Sequence, residues 1–166
     1  MIKQFFLLSI FALLPLKETE SITLLRSNLD QEISLEVLNS YEEDLKQYDD
    51  AVSMAYLGVV NMLKSKASKF PITKYKYFNE GCKNMDLSIS TEPEDVELRY
   101  LRFVFQTELP GFLGYDENRE EDLSYILIHF GKADYDYAYK VLMMTRLLDL
   151  SKLSEDERKL LNSINY

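Results

Sequence analysis

The sequence predicts an all-α protein built of irregular antiparallel helical hairpins. Three observations carry that reading. The 166 residues include only 5 Gly and 4 Pro, too few for a turn-rich β architecture. Apolar side chains recur every three or four positions, and no segment sustains the alternation of a half-buried strand. Capping residues and prolines stand at the ends of the periodic stretches. With 46% hydrophobic and 28% charged residues the chain suits one globular domain, and 12 Tyr and 9 Phe replace the absent Trp as large packing units.

The opening MIKQFFLLSIFALLPL carries a weakly positive start and an apolar run from Phe5 to Leu14. That run is shorter than the ~20 residues of a bilayer span and has the length of a secretory core segment. Residues 1–21 therefore read as a signal peptide, with Thr19 and Ser21 as the small residues at the cleavage point. The alternative is an apolar first helix of a cytoplasmic fold. Residues 22–166 form the single helical domain.

Within it, Ser21 is expected to cap a first helix bearing Ile22, Leu25 and Leu29, and Ser34 a second bearing Leu35, Leu38, Tyr41 or Glu42, and Leu45. A third follows Asp49 and Asp50 with Met54, Leu57 and Val60 or Asn61 on its stripe. It stops at Phe70-Pro71, because the residue before proline disfavours the helical region. The fourth starts at Ile72 or Thr73 and runs past Tyr77, Gly81, Met85 and Leu87 to Pro93. The fifth, 94–109, is apolar on nearly every side, which predicts a central helix covered on both flanks. Phe112, Leu113 and Tyr115 are expected to plug the turn after Pro110.

Asp116 or Asn118 caps the sixth helix, and Asn118 with Glu121 has capping-box spacing. Leu123, Ile126, Leu127 and Phe130 form its apolar face, and Gly131 is a natural end. Asp134 or Asp136 opens the seventh, which runs through Leu142 to Leu148. Ser154 and Glu157 make the capping box of a last helix with Leu160, Leu161 and Ile164.

Gly81, Met85, Ser88 and Pro93 stand at the spacing small-x3-large-x2-small-x4-Pro, and Leu57-Gly58 lie in the helix before. Across roughly residues 51–110 this resembles the tetratricopeptide repeat (TPR) with an irregular period. The resemblance implies a TPR-like array of about seven to eight helices that holds a peptide or partner protein.

Charge and motif content narrow the function. Net charge is −9 with pI ≈ 4.7, and no basic face is legible, so nucleic acid is not an expected partner and anionic lipid headgroups are disfavoured. Lys64, Lys66 and Lys69 read as a solvated helix flank. Cys82 and His129 are single, which excludes an internal disulfide and a Cys/His zinc cage. His129 reads as a last-turn cation. The acidic run 116–122 lacks the glycine a calcium loop requires and reads as first-turn acids. No nucleophile elbow or phosphate-binding glycine motif occurs, so no catalytic residue, metal or cofactor is expected. Tyr135 and Tyr139 fall together with Tyr137 nearly opposite, as in a half-buried helix.

Arg99 and Arg102 need partners on so apolar a helix, and Glu94, Glu97, Glu120, Glu121 and Asp122 are near in sequence. Either these arginines stitch helices together or they face a groove that takes a carboxylate or phosphate. The groove candidates are Asn61, Tyr75, Asn79, Arg99 and Arg102. The expected function is a non-enzymatic protein- or peptide-interaction and scaffolding module, exported to the periplasm or cell envelope, with no stable membrane span after leader removal. The alternative is a small envelope hydrolase or carbohydrate-active protein working through a carboxylate pair.

Overall fold

Local signals set most helix boundaries. In the computed structural model, which describes residues 19–166, the helices are α1 (Glu20–Asn28), α2 (Leu35–Leu45), α3 (Ala51–Ala67), α4 (Pro71–Thr91), α5 (Val96–Glu108), α6 (Arg119–His129), α7 (Tyr137–Asp149) and α8 (Glu155–Asn162). No strand occurs among the described residues, so the fold is all-α, and the arrangement is compatible with a helical repeat. Among them no helix is long and apolar enough to cross a membrane. Most of the expected leader lies outside the described residues.

Ser34, Asp50 and Asp136 cap α2, α3 and α7 as expected, and Ser154 with Glu157 closes a full capping box on α8. Three local expectations are corrected. Thr19, not Ser21, caps α1, its hydroxyl accepting from the Ile22 N–H. Asn118 precedes α6 but makes no side-chain cap bond there, and Glu121 is drawn instead to Arg99. Gly131 is not a left-handed helix end: the only positive φ among the described residues is Gly114 (63°). Gly131 lies in a 3-10 turn where an added Cβ would meet the Asn165 carbonyl oxygen at 2.3 Å.

The α3–α4 hairpin is the longest packed unit. Gly58 and Gly81 let the two backbones approach: an added Cβ on Gly81 would lie 2.7 Å from Met62 Cγ and 3.0 Å from the Gly58 carbonyl oxygen. Met85 and Ser88 are fully buried one and two turns on, so the glycines, the methionine and the serine share the seam that their spacing suggested. On α3 the deepest side chains are Ala55, Tyr56, Val59 and Val60, which shifts the buried stripe from the one expected through Met54 and Leu57. The central position of α5 is as expected, since 10 of its 13 residues are buried. With α6 it forms a second hairpin, and α7 and α8 complete the array. The core runs continuously from Ile22 and Leu25 through Leu98, Leu101 and Phe103 to Ile126, Met143, Leu147 and Leu161.

Candidate functional site

The two arginines that α5 carries are held by acids on neighbouring helices. Asp122, on the first turn of α6, is 0% exposed. It accepts Nε and Nη2 of Arg102 at 2.7 and 2.9 Å and Nη1 of Arg99 at 2.9 Å. Arg99 also reaches Glu121 at 2.6 Å, and Arg102 reaches Asp86 on α4 at 3.3 Å. Burial alone would weaken both guanidinium charges, but the facing carboxylates outweigh it and raise both pKa values. Tyr115 donates to Asp86 at 2.9 Å and packs edge-on against Phe78, so it does seal the α5–α6 corner. Burial and the adjacent Asp86 push its hydroxyl pKa up. Phe112 does not plug the turn; it is 88% exposed.

A second buried carboxylate was not legible as a hub. Glu97, on the first turn of α5, is 1% exposed and takes Arg26 of α1 in a bidentate pair, Nε at 2.7 Å and Nη2 at 2.5 Å. Tyr56 of α3 donates to it at 2.6 Å, and Tyr139 of α7 donates to the same oxygen. The Arg26 guanidinium lies 4.7 Å from the Tyr139 ring centroid. Burial, then the Glu97 charge, pushes both phenol pKa values up, so each hydroxyl stays a donor. One acid thus joins four helices. Tyr135 packs edge-on to Tyr139 and donates to Asp95, while Tyr137 faces outward, as the tyrosine spacing suggested.

Of the five groove candidates, Arg99 and Arg102 occupy the Asp122 hub. Asn61 is buried on α3, donating to the Leu57 carbonyl while its own oxygen has no partner among the described residues. Tyr75 and Asn79 are exposed on the outer face of α4. Two clefts among the described residues are well formed, and none of the five lines either of them.

The smaller cleft, about 360 Å³, lies beside the α5–α6 corner. Its cations already serve the fold: Arg119 bonds Thr107 and Glu157, and Lys152 bonds the carbonyls of Glu108 and Leu109. The larger, about 970 Å³, opens between α1, α2 and the start of α3. Leu24, Tyr41, Tyr48 and Val52 give it apolar surface, Ser21, Ser40 and Ser53 give hydroxyls, and Glu20, Asp44 and Asp50 give carboxylates. Arg26 reaches its wall, so the cleft abuts the Glu97 hub. Asp50 is spent on capping, accepting both the N–H and the hydroxyl of Ser53. Among the described residues no group of His, Cys, Asp and Glu is arranged to hold a metal ion. The Cys82 thiol is pushed up to about 12 by burial and then by Asp86, which leaves it a poor nucleophile.

A scan against protein-family models and searches of curated proteins and of solved structures return no match to this chain.

Proposed function

We propose that the protein is a non-enzymatic, TPR-like interaction module of the cell envelope that holds an extended peptide segment in the α1–α2–α3 cleft. The observation that carries this is the cleft itself: it is open and joins apolar walls to hydroxyls and carboxylates without a converged catalytic set. Asp44 favours a segment bearing basic or hydroxyl side chains.

A peptide array probed with the protein tests the reading. Basic or hydroxyl-rich peptides should bind, and Leu24→Lys, a change at a partly exposed wall, should abolish binding of the basic ones with the unfolding midpoint unchanged. Binding that ignores Leu24→Lys, or turnover of a glycoside that depends on Asp44, would overturn it.

A further inference from the structure

The connection between α3 and α4 departs from the rest of the molecule in charge and in exposure. Residues 64–76 contain five lysines and no acid, in a chain whose net charge is −9. Lys64 is buried and paired to Glu42, but Lys66, Lys69, Lys74 and Lys76 are all exposed. Between them stand three large apolar side chains open to solvent: Phe70 at 72% exposed, Ile72 at 87% and Tyr75 at 65%. Lone exposed apolar residues are ordinary, whereas three adjacent ones ringed by one sign of charge mark an interaction surface. Phe70 is extended before Pro71, and no side chain caps α4, so the positive end of a 21-residue helix faces the same tip. Glu80, 3.9 Å from Lys76, marks where the basic surface gives out along α4.

We infer that this tip docks on an anionic bilayer surface, with Phe70 and Ile72 entering the headgroup–acyl boundary, Tyr75 at headgroup level and the four lysines on lipid phosphates. The tip lines neither cleft, so it offers a peptide no groove, whereas a bilayer accepts a protruding apolar point ringed by cations. The chain's overall acidity does not oppose this, because charges beyond ~8–10 Å are screened at physiological salt. Each lysine near such a surface strengthens binding about fivefold.

Co-sedimentation of the full chain with phosphatidylcholine vesicles, with and without phosphatidylglycerol, tests the inference. The apolar run Phe5 to Leu14 sets the baseline on neutral vesicles, and the readout is the gain on adding phosphatidylglycerol. That gain should be lost at high salt and fall on the order of 100-fold in the double variant Lys66→Glu with Lys69→Glu. The double variant Phe70→Ser with Ile72→Ser should cost about tenfold. Lys159→Glu, on α8, should change nothing. All of these positions are exposed, so unfolding midpoints should hold, and circular dichroism checks that they do. A gain that is absent, or that survives both double variants, overturns the inference. So does binding to single-stranded DNA that equals vesicle binding and ignores Phe70 and Ile72, which would reduce the tip to unspecific charge.

Discussion

Glu97 and Asp122 are both buried carboxylates facing arginine, yet they hold the molecule differently. Asp122 sits within one hairpin and meets two cations, each with a second, more exposed partner in Glu121 or Asp86. Glu97 meets Arg26, and two phenols supply the rest of its hydrogen bonds from α3 and α7. The first is a local rivet with spare partners. The second is a long-range tie that closes sequence-distant helices together, so its loss takes one shared acceptor from α1, α3 and α7 at once. The difference teaches that a buried charge matters to the fold through the number of separate helices it joins as well as through its own pairing.

The sharpest way to break that comparison is to remove each acid. Glu97→Ala should destabilise by about 3–5 kcal/mol in urea unfolding, and Asp122→Ala by about 2–3 kcal/mol, because Glu121 and Asp86 remain for the arginines. An equal or larger loss at Asp122 would refute the distinction. A smaller effect belongs to the α3–α4 seam, which uses shape instead of charge. Gly81→Ala forces Met62 and the α3 backbone apart and should cost about 1–3 kcal/mol, read as a lowered thermal midpoint.

The smallest effect sits at the rim. Arg119 bonds Glu157 at 2.5 Å and, with the Ser154 N–H and hydroxyl, holds its carboxyl down at about 2, below its ordinary 4.5. A depressed carboxyl stabilises the fold above its unfolded pKa, and that stability drains as pH falls from about 4.5 to about 2. At this partly solvated position it amounts to about 1–2 kcal/mol. Arg119→Gln should flatten that acid limb in a pH series of unfolding midpoints.

How much of this was legible in the sequence follows from distance along the chain. Helix boundaries rest on local chemistry, and Ser34, Asp50, Pro71, Asp136 and the Ser154–Glu157 box announced them. Arg99 and Arg102 called for acids, and Asp122 and Glu121 stood among the few within reach of one hairpin. The Glu97 hub was hidden because Arg26 lies 71 residues away and Tyr139 lies 42, separations that no local periodicity encodes. Capping-box spacing at Asn118 misled because a tertiary partner, Arg99, outcompetes a local one for Glu121. Phe112 misled because hydropathy reports what a side chain is worth when buried, not which way a turn ending in left-handed Gly114 points it. The reading of Lys64, Lys66 and Lys69 as a solvated flank holds for Lys66 and Lys69, while Lys64 is corrected: it is buried against Glu42 of α2, a partner 22 residues away that its own helix does not announce.

The central claim is that the α5 arginines hold the fold while binding takes place elsewhere. Thermal unfolding of Arg102→Ala, paired with peptide binding at a temperature where the variant stays folded, tests it most directly. The account predicts a clearly lowered midpoint with binding retained. An unchanged midpoint with binding abolished would contradict it.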